Sequence, residues 1–481
     1  MYSAQTNDFD RDQLIGVGFP NDVLTNYQMN AATLLTPSSA NFKQNLLSQM
    51  LRLNYSYESR YLLTLTARRD GFSGFGTNTK YGIFPSVAVG WNIAKEPFLK
   101  SFQAINNLKL RASYGLNGNQ AVSSYQSLAT LATRTYVTGT TLLTGYVPSS
   151  LANEKLGWES TTSATIGLDF GLFNDRVQGS IDAYSGQTQD LLLNRIISSV
   201  QGFNRILQNI GKTANKGIEI GVTSTNIRTQ SFKWTTNLNA SHNQNKIVDL
   251  YGDGRDDVAN NWFIGKPIRT IYGLKYDGIF TAQADIDASA QPSSKLGYVR
   301  VADVDGNKIL STTLDRTILG YSDPKVIFGI TNTFSFKGLN LMIFLQGVQG
   351  VTKENPSEQD DVFGDVRRNT TKKDWWSAAN PNGTHFANDA LANTFNVRFY
   401  EDASFARLKD VSLSYELPKA LTKRFSINKA KVYITGRNLA TFTKYRGLDP
   451  ELNNQVDVPA RLQLGIPLLQ REFIFGVNIG L

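Results

Sequence analysis

Stretches of about ten residues in which apolar and polar side chains alternate recur along the sequence, and they constrain the fold more than any other feature. In the segment NLKLRASYGLN, Leu108, Leu110 and Ala112 fall on one face, and Lys109 and Arg111 fall on the other. A strict period of two is typical of a β-strand whose two faces meet different environments. The sequence therefore predicts an all-β chain of antiparallel strands that carry charges in the middle of one face.

The connections between these strands fall into two length classes. Short turns alternate with long loops rich in Gly, Asn, Ser and Asp, which is typical of a transmembrane β-barrel with short periplasmic turns and long extracellular loops. A soluble β-sandwich also alternates along its strands but has no reason to sort its connections in this way. About thirteen strands are predicted, from roughly 46–56 to 472–481, with further hairpins inside one loop. The long loops are predicted at about 70–80, 117–160, 186–214, 243–322, 351–402 and 443–470.

In the clearly alternating segments, such as the one around Leu110, the apolar face carries no Lys or Arg, and this indicates which face meets lipid. A Lys or Arg at the bilayer midplane costs about 2–4 kcal/mol on a lipid-facing position, so the charged faces must point inward. Aromatic residues near strand ends, Tyr61, Trp91 and Phe170, are predicted to lie at the head-group level, with the packed core of a sandwich as the alternative. The side chains predicted to line a polar lumen are Lys109, Arg111, Arg176, Lys233 and Glu416.

Composition removes several other classes of protein. The chain has no cysteine, so disulfides, thiolate metal sites and thiol nucleophiles are excluded. The net charge is +9, but the cations are scattered singly with no basic run, so nucleic acid is not a predicted partner. Outer-membrane lipid is a predicted partner, because the apolar strand faces are predicted to contact it. The N-terminal MYSAQTNDFDRDQ has neither the basic nor the apolar region of a signal peptide, and no apolar stretch is long enough for a transmembrane helix.

Several segments resemble the SusC/RagA-type TonB-linked outer-membrane transporters. They include NYSYESRYLLTLTARRDGFSGFG, YGIFPSVAVGWNIAKEPFL, NIGKTANKGIEIGV, IYGLKYDGIF and SFARLKDVSLSYELP, and they occur in the family's order. The resemblance runs from about residue 46 to the C-terminus. It implies a barrel of 22 strands, of which residues 46–481 are expected to supply about thirteen as the C-terminal portion, with residues 1–45 as the remnant of an extracellular loop.

The same resemblance implies a function in the outer membrane. The family imports oligosaccharides or peptides with energy from TonB, beneath a SusD-like surface lipoprotein. The signal peptide, plug domain and TonB box are expected to be absent from this chain, so coupling to TonB is expected only if those parts are supplied. Two alternatives stay open: a passive porin-like pore and a non-functional barrel remnant.

One loop has the spacing of oxygen ligands for calcium. Asp303, Asp305 and Asn307 lie at alternate positions in ADVDGNKIL, which resembles an Asp-rich loop of the family. Lys308 stands where such a loop needs Gly, and Leu310 offers no closing carboxylate. A plain polar turn is the alternative, and no cofactor or firm metal site is predicted.

Catalysis is not predicted. The chain has two histidines, His242 and His385, and no Ser or Asp motif supports either one, so a hydrolase carried on the loops is the weaker alternative. Trp262, Trp375 and Trp376 lie in long loops and are candidates for stacking on sugar rings, with packing inside the loops as the alternative.

Overall fold

The computed structural model describes residues 1–21, 25–198, 200, 202–359, 372–389, 391–422, 427–451 and 469–480. This part of the chain is dominated by β-strands. The strands in chain order are β1 (Tyr2–Val17), β2 (Leu34–Tyr57), β3 (Tyr61–Phe72), β4 (Tyr81–Asn92), β5 (Ile105–Asn119), β6 (Thr130–Thr138), β7 (Thr141–Ser150), β8 (Glu159–Leu172), β9 (Val177–Ile196), β10 (Arg205–Arg228), β11 (Phe232–Asp249), β12 (Thr270–Leu274), β13 (Tyr276–Ile279), β14 (Val299–Val301), β15 (Arg316–Tyr321), β16 (Val326–Phe336), β17 (Leu339–Gln349), β18 (Thr352–Glu354), β19 (Tyr400–Asp402), β20 (Phe405–Glu416), β21 (Lys429–Thr443) and β22 (Glu472–Gly480).

Helices are few and short. The α-helices are α1 (Gln283–Ala288) and α2 (Lys419–Thr422), and the 3₁₀ helices are Thr25–Ala31, Ile93–Lys95, Pro97–Leu99, Val258–Asn260 and Pro356–Gln359. Within the described ranges, no helix has the length and apolar content needed to span a bilayer.

Fourteen strands form one antiparallel sheet in the order β1-β2-β3-β4-β5-β8-β9-β10-β11-β16-β17-β20-β21-β22. This confirms the predicted all-β antiparallel class, with one strand more than the predicted thirteen. The other strands form four separate pairs within the long connections: β6–β7, β12–β15, β13–β14 and β18–β19. No pairing among the described residues joins β1 to β22.

The prediction that residues 1–45 form a loop was wrong. β1 pairs with β2 from Tyr2 opposite Gln49 to Val17 opposite Leu34, so most of this region is a strand hairpin. β1 has the sequence YSAQTNDFDRDQLIGV, in which polar residues occupy both faces. A strand that meets water on both faces has no apolar period, and it forms because its neighbour supplies hydrogen-bond partners.

Most connections alternate in length as predicted, but the β4–β5 connection (93–104) is longer than the preceding β3–β4 connection (73–80). β16 and β17 are joined by Lys337 and Gly338 alone, and both residues have positive φ (44° and 87°), as the tight turn of a two-residue hairpin requires. The predicted loop 186–214 was mostly wrong, because β9 continues to Ile196 and β10 begins at Arg205. Inside 243–322, where further hairpins were predicted, the structure has two antiparallel strand pairs, β12 with β15 and β13 with β14, and neither pair is joined by a tight turn. The last predicted strand is β22, and Leu481 lies outside the described residues.

The strand register places apolar side chains of neighbouring strands next to one another on one face of the sheet. Leu65 of β3 lies opposite Leu53 of β2 and Val87 of β4, and Val87 lies opposite Tyr114 of β5. These side chains are exposed, Leu53 to 58% and Tyr114 to 59%. A soluble sandwich would bury such a face against a second sheet. An apolar face left open over the whole sheet is what a lipid-facing surface requires.

The buried apolar residues lie mostly in the long connections. One cluster contains Tyr298, Val299, Phe386, Val397 and Phe399, from the connections β11–β16 and β17–β20. A second contains Phe72, Phe75, Val122 and Leu156 at the long-loop ends of β3–β8. The loops on this side of the sheet therefore have small cores of their own, which position their side chains relative to the strands.

Candidate functional site

The polar face of the sheet carries a bridging arginine. Arg111 of β5 donates hydrogen bonds from Nε and Nη2 to Asp169 of β8 (2.8 and 2.7 Å) and from Nη2 to Asp182 of β9 (3.0 Å). The register places Gly167 between Arg111 and Asp182. A Cβ on Gly167 would lie 2.2 Å from Asp182 Oδ1 and 2.8 Å from Arg111 Nη2. Glycine at this position is therefore what allows the guanidinium to cross β8 and reach the next strand.

The other predicted lumen residues lie at different heights on the sheet. Lys109 lies opposite Asp169 on the same polar face as Arg111. Lys233 and Glu416 are exposed near the short-turn end, where Glu416 lies 3.4 Å from Lys429. Arg176 lies in the turn between β8 and β9 rather than inside a strand. Their contact with a lumen remains a prediction.

The acidic partners of Arg111 on this face were not predicted as lumen residues. Asp169 and Asp182 both occupy polar positions of the alternating strands. Only the register between β5, β8 and β9 shows that both lie beside Arg111. At the β22 edge of the sheet, Arg437 of β21 lies 3.3 Å from Asp410 of β20 and 3.7 Å from Glu472 of β22. Ion pairs therefore connect neighbouring strands in the middle of the sheet (β5, β8 and β9) and at its β22 edge.

The short-turn end contains a carboxylate held by predicted head-group aromatics. Glu96, buried in the β4–β5 connection, accepts hydrogen bonds from Tyr61 Oη (2.7 Å), Trp91 Nε1 (2.9 Å) and Arg60 Nη1 (3.1 Å). The hydrogen bond from Tyr61, followed by that from Trp91, lowers the pKa of Glu96. Aromatic residues placed at a membrane interface keep their polar atoms partnered in this way.

The long-loop end contains a buried ion cluster. Arg407 of β20 is only 2% exposed and donates from Nη2 to Asp449 (2.7 Å), from Nη1 to Glu451 (2.7 Å) and from Nε to Thr441 Oγ1 (2.9 Å). Lys409 contacts Glu451 at 2.8 Å. The cluster connects the loop that follows β21 to the sheet. Because buried charges must be paired, removing any partner would leave an uncompensated charge.

A second ion cluster joins loop segments around His385. His385 Nδ1 lies 3.0 Å from Glu358 Oε2, and its ring packs edge-on against Trp375 at 4.6 Å. The hydrogen bond with His385 lowers the pKa of Glu358 to about 2, helped by Lys373 and Arg446. His385 is buried, and its Nε2 has no hydrogen-bond partner in the described structure. His242, the other histidine, lies with Nδ1 2.7 Å from the Lys325 carbonyl.

The predicted stacking tryptophans lie within loop structure. Trp375 packs against the cluster that contains Phe386, and its ring meets the Phe386 ring at 5.9 Å. Trp376 lies against Gly297, where a Cβ would approach its ring to 2.2 Å. Trp262 is half-buried and its backbone pairs with Asp257. Each is in contact with the loop fold, and stacking on a sugar remains a prediction.

The predicted calcium residues lie in a tight turn. The carboxylates of Asp303 and Asp305 lie with that of Asp315 in a group whose ligand oxygens are within 4.8 Å of one another. Asp315 was not predicted; it is fully buried and accepts from the backbone N–H groups of Val304 and Ser311. Asn307 accepts from Ile309 N instead. These oxygens already receive backbone N–H groups, so the turn is stabilised without a cation, and calcium binding remains a prediction.

Together these features define a class of protein. A single antiparallel sheet has an exposed apolar face, a polar face with strand-to-strand ion pairs, short turns at one end and folded loops at the other. That is the architecture of an outer-membrane β-barrel protein.

Comparison with known proteins places the chain within that class. Residues 2–439 match the profile of the family described as TonB dependent receptor-like, beta-barrel, and the chain belongs to this family. It is 35% identical to TonB-dependent receptor P3 of Formosa agariphila over 472 residues, which cover 93% of this chain and 47% of the relative. It is 30% identical to TonB-dependent receptor SusC of Bacteroides thetaiotaomicron over 444 residues, which cover 86% of this chain and 42% of the relative.

Solved structures agree on the fold. A chain of the RagAB peptide transporter superimposes with a TM-score of 0.76 at 25% identity, covering 93% of this chain and 50% of that one. A chain of the RagAB peptide importer in its open-open state gives 0.79 at 24% identity, covering 100% and 52%. The chain spans about half the length of the curated relatives it matches. The predicted SusC/RagA-type resemblance and outer-membrane location are confirmed, and the relatives are receptors rather than enzymes, as predicted.

Proposed function

We propose that this chain forms the C-terminal barrel portion of a TonB-dependent importer for oligosaccharides or peptides, working with a SusD-like surface lipoprotein. The observation that carries the proposal is the polar face. Arg111 lies in the middle of β5, and its carboxylate partners Asp169 and Asp182 lie nearer the short-turn ends of β8 and β9, on strands whose opposite face is apolar. Charges at this depth need a wet surface, and a wide polar lumen provides one.

Two observations support the proposed substrate class. The polar face offers carboxylates, guanidinium groups and amides rather than an apolar pocket, which suits solutes with many hydrogen-bonding groups. Among the relatives, one is named SusC and the RagAB structures are titled a peptide transporter and a peptide importer. We therefore retain both oligosaccharides and peptides as proposed substrates.

The proposed partners follow from the two ends of the sheet. The folded loops at the long-loop end present a surface on which a SusD-like lipoprotein is proposed to sit. Coupling to TonB is proposed through a plug and TonB box joined to this barrel portion. Without them, the barrel portion would act as a passive pore or remain inactive.

An uptake experiment separates these functions. Cells with the native locus and cells lacking this chain's gene are each prepared with and without TonB, and uptake of a labelled oligosaccharide mixture and a labelled peptide mixture is measured. Uptake that needs both the chain and TonB supports the importer, and the label taken up gives the substrate class. Uptake that needs the chain but not TonB indicates a passive pore. Equal uptake with and without the chain indicates an inactive remnant.

A further inference from the structure

Four polar side chains, Lys216, His242, Gln244 and Lys246, lie together on the apolar, outward face of β10 and β11. On this face β10 carries Ile218, which is 47% exposed. Lys216 is the next residue of this face, two positions before Ile218 and farther from the short turn, and it lies opposite Gln244. Lys246 lies opposite Ala214. Because successive residues of one face are two positions apart, Lys216 has Lys246 on one diagonal and His242 on the other. Such diagonal neighbours are roughly 7–8 Å apart, within reach of one anion.

The height of Lys216 matches that of the lipid head groups. Lys216 precedes the end of β10 at Arg228 by twelve positions. At about 3.4 Å per residue and a tilt of 35–45°, this places it about 30 Å above the short turn. The apolar band of a transmembrane barrel is about 25 Å tall, with aromatic residues at its borders. Trp234 lies on the same outward face two positions above the turn-side start of β11, at the lower border. Lys216 therefore stands just above the upper border.

The residues paired with these cations on the outward face of the neighbouring strands are not acidic. Across β9 the neighbour of Lys216 is Ser185 and that of Ala214 is Gln187. No ion pair between described residues involves Lys216 or Lys246, and both are exposed. By contrast, Arg111 on the inner face has two carboxylates within 3.0 Å. The outward cations lack the internal partners that the inward arginine has.

The histidine is oriented by the backbone. His242 Nδ1 lies 2.7 Å from the Lys325 carbonyl oxygen, and a carbonyl can only accept, so Nδ1 carries the proton. Nε2 is then the remaining polar atom of an exposed ring beside Lys216. The backbone contact therefore fixes the His242 ring beside Lys216 on a face that is otherwise apolar.

We propose that Lys216, His242, Gln244 and Lys246, here called the rim patch, bind a phosphate group of an outer-leaflet lipid. The ammonium groups provide the charge, and the Gln244 side-chain amide donates a hydrogen bond to a phosphate oxygen. His242 Nε2, which carries no proton in this tautomer, can accept a hydrogen bond from a protonated phosphate oxygen. Ile218 and its apolar neighbours directly below would contact the acyl chains of the same molecule. A lipid that carries phosphate above acyl chains matches both halves of this surface, whereas inorganic phosphate would match only the upper half.

The test uses the protein extracted from its own outer membrane in nonionic detergent. Native mass spectrometry measures the co-purified phosphorylated lipid, and titration with lipid A in nanodiscs of phosphatidylethanolamine gives its affinity. The variants are Lys216→Gln with Lys246→Gln, the charge-preserving Lys216→Arg with Lys246→Arg, and Lys109→Gln with Lys233→Gln as a matched control on the inner face. Heat-modifiable migration on gels confirms that each variant is folded.

Neutralising the rim patch is expected to weaken lipid A binding about thirty-fold, since each basic residue near an anionic head group contributes about a factor of five, and the arginine variant is expected to retain it. The inner-face control is expected to bind as the wild type does. Wild-type binding by the rim-patch variant, or an equal loss in the control, would overturn the proposal. Displacement of lipid A by millimolar inorganic phosphate would assign the patch to free phosphate and would also overturn it.

Discussion

Replacing Arg407 by methionine tests whether the buried ion cluster stabilises the upper part of the sheet. The guanidinium is 2% exposed and Asp449 is 9% exposed. Removing one partner of a buried pair costs about 3–5 kcal/mol, because the remaining charge stays buried without compensation. Glu451 keeps Lys409 at 2.8 Å, whereas Asp449 keeps only the backbone N–H of Glu451 (2.8 Å) and the charge of the nearby Lys353, so Asp449 loses its single close cationic hydrogen-bond partner. We therefore expect a loss near the lower end of that range, about 3 kcal/mol.

The assay is urea unfolding in detergent micelles, followed by tryptophan fluorescence. Arg269→Met is the matched control, because its ion pair with Asp323 has a similar length (2.6 Å) but its side chain is 58% exposed. An exposed pair contributes at most about 1 kcal/mol. The double variant Arg407→Met with Asp449→Asn should be less destabilised than the sum of the two single variants, since neutralising both partners removes the stranded charge.

Two results would refute this reasoning. If Arg407→Met loses no more stability than Arg269→Met, burial does not amplify the pair. If the two single losses add without coupling, the cost of Arg407→Met comes from lost packing of its long side chain rather than from the unpaired charge on Asp449.

Three further predictions use the same unfolding measurement. The pKa of Glu358 is lowered to about 2, so its contribution to the free energy of unfolding is complete above the unfolded pKa near 4.5 and is lost as pH falls toward 2. After allowance for solvent screening, wild type should lose about 1–2 kcal/mol more stability than Glu358→Gln between pH 5.5 and 2.5. Equal losses would contradict a stabilising role of the ionised Glu358. Gly167→Ala should cost about 1–3 kcal/mol because its Cβ meets a carboxylate oxygen at 2.2 Å, whereas Gly186→Ala, with 3.7 Å of clearance, should cost little. Val87→Arg on the outward face, four residues from Trp91, should cost about 2–4 kcal/mol and Ala88→Arg on the inner face much less; equal costs would contradict the assignment of one face to lipid and the other to water.

Alternation predicted the strands wherever their two faces meet different solvents. Around Leu110 and Arg111 the period of two identifies both the strand and its polar side, because lipid and water select different residues. The first strand was missed because both of its faces meet water; Asp8, Asp10 and Asp12 share one face, and Asn7 and Arg11 lie on the other. β1 is held by backbone hydrogen bonds to β2, and the alternation of side chains within β1 gives no sign of these bonds.

The site was less predictable than the fold for a related reason. Arg407 has its carboxylate partners 42 and 44 positions later, across a loop, and Asp315 lies ten residues beyond Asp305. Local spacing identifies residues that share a strand face or a turn. It does not identify charged groups that the fold brings together from positions farther apart in the chain, and these groups include the deeply buried Arg407 and Asp315.

Three cations in this sheet show how surroundings determine what a charge does. Arg407 is buried, so it needs two carboxylates and its loss should destabilise the fold. Arg111 is partly exposed on the polar face, so its two carboxylates exchange more easily with water and solute. Lys216 stands at the lipid border with no acidic neighbour, so its removal should leave the fold unchanged and alter only what binds there. The order of their importance for stability is therefore the reverse of their availability to a ligand, and the unpaired cation at the rim is the one most open to an external anion.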